Sequence, residues 1–217
     1  MKIQHLNFAR LIKDYTSAPL TRHLLLEILR EYKRPNDKIS ELIKNGELVS
    51  LRRGLYVLGP KTDLPMPESF LIANHLRGPS YVSLETALSY WGFIPERTYE
   101  ISSITVKPSK KYITPIGRFG YQQLPTPYYS FGIRSVELTL NQLVLMASPE
   151  KAICDKIVLT PNVNLRSIKQ TRLFLLDDLR MDENLLRKLN LEIITTWLEE
   201  APKKNSLKML IATLKEI

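Results

Sequence analysis

Cysteine occurs once in the 217 residues, at Cys154. A single thiol excludes an intrachain disulfide and a cysteine metal cluster, and it fits a reducing compartment. The histidines, His5, His23 and His75, are scattered without ligand spacing, so no metal is expected. Glycine is scarce, at eight residues, and none belongs to a Gly-rich phosphate loop. A nucleophile elbow and a paired-histidine zinc helix are missing as well. These absences point away from an enzyme and from a cofactor. No run approaches the roughly 20 apolar residues that a membrane-spanning helix needs. The start, Met1-Lys2-Ile3-Gln4-His5, lacks the apolar core of a signal peptide. The expectation is a soluble cytoplasmic protein without a membrane partner.

What is present is hydrophobic content of 44% and a formal charge of +9, with a pI near 9.6. The apolar share suffices for one large core or two small ones. The basic excess favours a polyanionic partner, usually nucleic acid. It is unevenly spread. Residues 1–60 carry eleven Lys/Arg against six Asp/Glu, so they hold +5 of the +9.

That N-terminal quarter has a readable pattern. Residues 5–15 predict a first helix through Leu6, Phe8, Leu11, Ile12 and Tyr15. Residues 20–32 predict a second, because Leu20, Leu24, Leu25, Ile28, Leu29 and Tyr32 recur at steps of three and four. After Lys33-Arg34-Pro35, Asn36 is a plausible N-cap of a third helix, with Ile39, Leu42 and Ile43 facing inward and Gly46 as C-cap. A β-hairpin follows, turning at Arg52-Arg53-Gly54. Helix, turn, helix and basic hairpin is the layout of a winged helix-turn-helix. In that frame Asn36, Asp37, Lys38, Ser40, Glu41 and Lys44 lie on the exposed side of helix three. Lys38 and Lys44 could reach phosphates or a guanine edge, and Asn36 could read adenine. Arg34 could meet the backbone, and Arg52 and Arg53 could enter a minor groove or clamp phosphates. The plainer alternative is a protein-contact winged helix whose charges are only solvated.

Gly59-Pro60 through Pro65-Met66-Pro67 marks the expected boundary between a domain of residues 1–60 and one of residues 61–217. Residues 68–76 and 83–91 predict helices. Residues 99–146, rich in Ile, Val, Thr, Tyr and Phe, predict several antiparallel strands. Helices are expected at 149–159, 167–179, 182–189, 191–200 and 205–216, with Asp182 and Asn205 as caps near two starts. The fold class is therefore α/β (α+β): a winged helix followed by a mixed sheet flanked by helices. Lys107, Lys110 and Lys111, with Arg118 nearby, make a second basic cluster. It is either a contact surface or a charged hairpin that resists edge pairing. In Ala147-Ser148-Pro149-Glu150-Lys151-Ala152, Ser148 suits a cap, Pro149 the first helical position and Glu150 the positive dipole end. Lys151 and Asp155 are four apart and can pair. Helix chemistry alone explains this motif, although catalytic use of Glu150, Lys151 or Asp155 is conceivable. Cys154, Tyr90, Trp91 and Phe93 are expected in the core.

Three blocks together resemble the AbiEi antitoxins of type IV (AbiE) toxin–antitoxin systems. They are Leu51-Arg52-Arg53-Gly54-Leu55-Tyr56-Val57, then Ser80-Tyr81-Val82-Ser83-Leu84-Glu85-Thr86-Ala87-Leu88-Ser89-Tyr90-Trp91-Gly92, then Ala147-Ser148-Pro149-Glu150-Lys151-Ala152-Ile153-Cys154-Asp155. The hairpin block is weak alone, and the other two are fairly specific in combination. The resemblance implies an N-terminal winged helix that binds operator DNA, commonly inverted repeats, and represses its own operon. It implies a C-terminal α/β domain needed for antitoxicity, and a nucleotidyltransferase-like toxin counteracted without a stable complex. Such systems can serve in abortive infection. The chain departs from the commonest pattern at Glu31-Tyr32-Lys33-Arg34-Pro35, where the turn between helices two and three is hard to place. The rival readings are a stand-alone winged-helix repressor with a sensing C-terminal domain, and an enzyme built on the Ser148–Asp155 helix.

Overall fold

A computed structural model describes residues 8–139 and 141–217. The chain opens with α1 (Phe8–Ile12), continued by a 3-10 turn over Lys13–Tyr15. Residues 5–7 of the expected first helix lie outside the described residues. The expected second helix is shorter than its apolar period suggested. Leu20–Thr21 forms strand β1, and α2 spans Arg22–Ile28. Thr21 explains the shift, because its side chain accepts a bond from the Leu24 N–H at 3.2 Å and caps α2. Helix α3 (Pro35–Lys44) begins one residue before the expected cap. Pro35 takes the first position, which suits its missing N–H. Asn36 therefore lies inside the first turn. Ile39 and Leu42 are buried, whereas Ile43 is exposed.

The end of α3 follows from Gly46. Its φ of +75° is a left-handed conformation that costs glycine little. The Gly46 N–H donates to Ile43 O at 3.0 Å and the Glu47 N–H to Leu42 O at 2.9 Å, the paired bonds of a Schellman stop. The turn launches β2 (Leu48–Arg52), which pairs antiparallel with β3 (Leu55–Leu58). Leu20 and Thr21 of β1 pair with Tyr56 and Leu55 of β3, giving a three-stranded sheet of order β1-β3-β2. Phe8, Ile12, Leu20, Leu25, Leu29, Ile39, Leu42, Leu48, Tyr56 and Leu58 form one core beneath it.

A second and larger core surrounds a six-stranded sheet of order β6-β7-β5-β4-β9-β8. Its strands are β4 (Ser80–Val82), β5 (Glu100–Thr105), β6 (Lys110–Thr114), β7 (Gly117–Gln123), β8 (Ile133–Thr139) and β9 (Gln142–Ala147). The sheet is mixed rather than wholly antiparallel, since β5 runs parallel to β7 and β4 parallel to β9. Around it pack α4 (Ser69–Leu76), α5 (Leu84–Tyr90), α6 (Pro149–Leu159), α7 (Ile168–Leu173), α8 (Glu183–Leu186), α9 (Leu191–Trp197) and α10 (Lys204–Leu214). Helix α7 widens into a π-helical stretch over Phe174–Asp178. Asp182 caps α8 as expected, accepting from Asn184 N and Leu185 N. Asn205 does not cap α10. That helix starts at Lys204, and Lys203 precedes it with its ammonium on the carbonyls of Ile157, Thr160 and Val163 at 2.8–3.0 Å. A cation on the last carbonyls of α6 answers the negative end of its dipole. Among the described residues, no helix is long and apolar enough to cross a membrane.

The two cores meet at the β2–β3 hairpin. Leu51, Leu55 and Val57 belong to the larger core although they sit in the smaller sheet. Strand β2, an edge of the small sheet, lies against β6, an edge of the large one.

Candidate functional site

Helix α3 repeats Asn36, Ser40 and Lys44 at steps of four, so these residues share one face. All three are exposed, and Ile39 and Leu42 on the opposite side are buried. The Ser40 hydroxyl donates back to Asn36 O at 3.2 Å. Lys44 has no ion-pair partner among the described residues. The remaining charges of the helix are paired locally. Lys38 Nζ lies 2.7 Å from Glu41 Oε1 and over the Tyr32 ring at 5.5 Å. The Glu41 hydrogen bond holds the Lys38 ammonium above the usual lysine range, against the opposing effect of burial. Lys38 is thus half-buried rather than a free basic finger. Arg34 Nη1 stands 3.5 Å from Asp37 Oδ2. That pair offsets one of the two carboxylates that would repel phosphate on this face.

At the hairpin tip the two arginines part company. Arg52 Nε donates to Leu76 O at 2.9 Å, and its Nη1 to Arg53 O at 3.3 Å. Its guanidinium therefore ties the hairpin to the C-terminal end of α4. Both arginines are exposed at the hairpin tip, and Arg52 is the one engaged with neighbouring carbonyls. Sequence reasoning also passed over Arg22. Its backbone N–H donates to Gly54 O at 3.0 Å, and its Nη2 donates to Asn36 Oδ1 at 2.8 Å. Arg22 joins the start of α2, the start of α3 and the hairpin tip. A basic residue directly after a capping threonine was the available signal.

The second basic cluster does not converge as a free patch. Lys107 Nζ donates to Gly78 O, and Lys110 lies over the Tyr112 ring at 4.8 Å. Lys111 Nζ is 3.4 Å from Glu100 Oε1. Register places Arg118 opposite both Glu100 and Ile113. Lys111, Gly120, Ser102 and Glu100 border a depression of about 350 Å³ on the open sheet face. Gly120 contributes no side chain to its floor, and the Glu100 carboxylate lies over that position.

The Ser148–Asp155 motif forms a sealed polar cluster. Ser148 caps α6 by accepting from the Lys151 N–H at 3.2 Å. Lys151 Nζ lies 2.9 Å from Asp155 Oδ1, donates to Tyr128 O at 2.9 Å and sits 3.4 Å from the centre of the Tyr128 ring. Tyr81 and Ser83 donate to Asp155 Oδ2 at 3.0 and 2.8 Å. Both charged side chains have 0% exposure. Burial pushes the Asp155 carboxyl up and the Lys151 ammonium down, each partly opposed by the other's charge. Burial also pushes the Cys154 thiol up, which suits an inert core residue. Phe93 is in the core as expected, but Tyr90 is 41% exposed at its margin.

No protein-family model and no curated protein matches the chain. Its fold is similar to the crystal structure of the RV2827C protein from Mycobacterium tuberculosis, with a TM-score of 0.60 at 15% identity, covering 95% of this chain and 75% of that one. At that identity the likeness shows the fold alone.

Proposed function

We propose that the chain is an antitoxin of AbiEi type. Residues 1–60 serve as a winged helix-turn-helix that binds operator DNA in inverted repeats and represses the operon. Residues 61–217 counteract a nucleotidyltransferase-like toxin without a stable complex. The observation that carries the DNA part is the exposed stripe Asn36, Ser40 and Lys44 on α3 beside a hairpin tipped by Arg53. A helix of this kind fits the major groove, and a basic hairpin reaches the flanking backbone. The three sequence blocks supply the antitoxin part. The reading places the protein in the cytoplasm, with a role in abortive infection.

The test has two arms. Titration of the full chain onto duplex DNA from upstream of its own gene should show affinity falling about a thousandfold between 50 and 200 mM salt, given about 6 phosphate contacts. Lys44→Ala with Arg53→Ala should weaken binding at least tenfold at fixed salt. Unchanged affinity in that folded double variant would remove the DNA interface. Growth rescue then tests the antitoxin: a neighbouring nucleotidyltransferase-like gene should be toxic alone and harmless with this chain. A harmless neighbour leaves a free-standing repressor.

A further inference from the structure

The bond between Arg22 and Asn36 limits what α3 can read, if the operator-binding reading holds. Arginine carries five N–H donors and no acceptor. The Asn36 atom that faces Arg22 Nη2 at 2.8 Å must therefore be the amide oxygen. The usual ambiguity between the two ends of an amide does not arise here. With one lone pair of Oδ1 taken, Asn36 offers its two Nδ2 protons and a single remaining acceptor position, and Arg22 adds its remaining N–H groups, so donors predominate. Both side chains are exposed, and both are anchored. Arg22 is fixed by its backbone bond to Gly54 O and by the Thr21 cap. Asn36 is fixed behind Pro35 in the first turn of α3.

Adenine is read by an amide that accepts from N6 and donates to N7 at once. While the bond stands, the guanidinium donors crowd the one lone pair left on Oδ1, so the Arg22–Asn36 pair meets the N6 donor of adenine less well than it meets an acceptor. Guanine presents N7 and O6, two acceptors side by side in the major groove. We propose that Arg22 and Asn36 together form a donor-rich reader of one guanine in each operator half-site, with Arg22 as the residue that sets this specificity. Asp37 and Glu41, the nearby carboxylates, are spanned by Arg34 and Lys38 and do not compete for the pair.

The experiment selects bound sequences from a randomised duplex pool with the full chain, with Arg22→Met and with Asn36→Ala. The wild type should enrich guanine at one position of the half-site. Replacing that base by 7-deazaguanine, which removes N7, should weaken binding about tenfold, the scale of a good bidentate contact. Arg22→Met frees Oδ1 and should move the preference at that position towards adenine. Asn36→Ala should relax it. Adenine enriched by the wild type overturns the proposal, as does an unchanged profile in both variants. A uniform loss across all sequences also overturns it, assigning the pair to phosphate. In each of those cases DNA binding itself survives. If the wild type retains no sequence at low salt, the operator-binding reading falls with it.

Discussion

Removing the Lys151 ammonium tests how the larger core is held. In Lys151→Met the hydrocarbon volume is nearly kept, but the ion pair at 2.9 Å and the bond to Tyr128 O are lost. Asp155 stays buried with only the Tyr81 and Ser83 hydroxyls on its other oxygen. Breaking a buried pair by taking one partner costs about 3–5 kcal/mol. A chain of this size has an m-value of about 2 kcal/mol/M in urea, so the midpoint should fall by about 1.5–2.5 M. The loss should shrink on acidification. Burial already raises the Asp155 carboxyl, and removing the cation raises it further. A group with a raised folded value contributes most stability below its unfolded value and loses it as pH rises through the folded one. Protonated Asp155 needs no cation, so the variant should approach the wild type between neutral pH and about pH 4. Lys151→Met with Asp155→Asn should cost less than Lys151→Met alone, because no unpaired charge remains. Urea unfolding followed by circular dichroism reads all three. A deficit below about 1 kcal/mol that is independent of pH, or a double variant equal to the sum of its singles, refutes the account.

Two further outcomes are expected. Gly132 has φ of +61°, and a Cβ there would sit 2.7 Å from both Lys151 Cβ and Trp197 Cη2. Gly132→Ala should therefore cost about 3 kcal/mol through strain and overpacking, and a change under about 0.5 kcal/mol in urea unfolding would contradict it. The hydrogen bond from Arg180 holds the Glu96 carboxyl below the usual glutamate range. Its contribution is present above the unfolded value and lost as pH falls through the folded one. A carboxyl NMR titration should show the depressed midpoint, returning to the ordinary value in Arg180→Gln.

Elements with strong local chemistry were legible in the sequence. Helix α6 starts at Pro149 behind Ser148, and α3 stops at Asn45-Gly46. Strand β1 was not legible. Leu20 shares the helical period of Leu24, and its strand conformation depends on Tyr56, far along the chain. Strand β4 has three residues, too few for any period to show. The parallel pairing of β5 with β7 likewise depends on long-range placement. For the sealed cluster, the spacing of Lys151 and Asp155 suggested the pair but not its burial. Ala152, Ile153, Cys154, Ile157 and Val158 are buried around most of α6, but Glu150, Lys151, Asp155 and Lys156 share the same helix, so its pattern did not show which charges lie inside. Arg22 and Asn36 meet across fourteen positions, so nothing local could pair them.

The composition break at Gly59–Pro67 separates two stretches of chain more cleanly than it separates two energies. Leu51, Leu55 and Val57 lie before the break and bury their side chains in the larger core. Each such burial stabilises by about 1.5–3 kcal/mol, so the three contribute on the order of 6 kcal/mol across the boundary. That is comparable to the whole stability of a small domain. Arg52 adds its bond to Leu76 O from the same hairpin. The hairpin thus has two allegiances. Its tip and its pairing with β1 belong to the unit that carries α3, and its inner face belongs to the six-stranded sheet. Gly54 O is bonded to the first residue of α2 while Leu55 is buried in the larger core, so the hairpin tip is held from both sides at once.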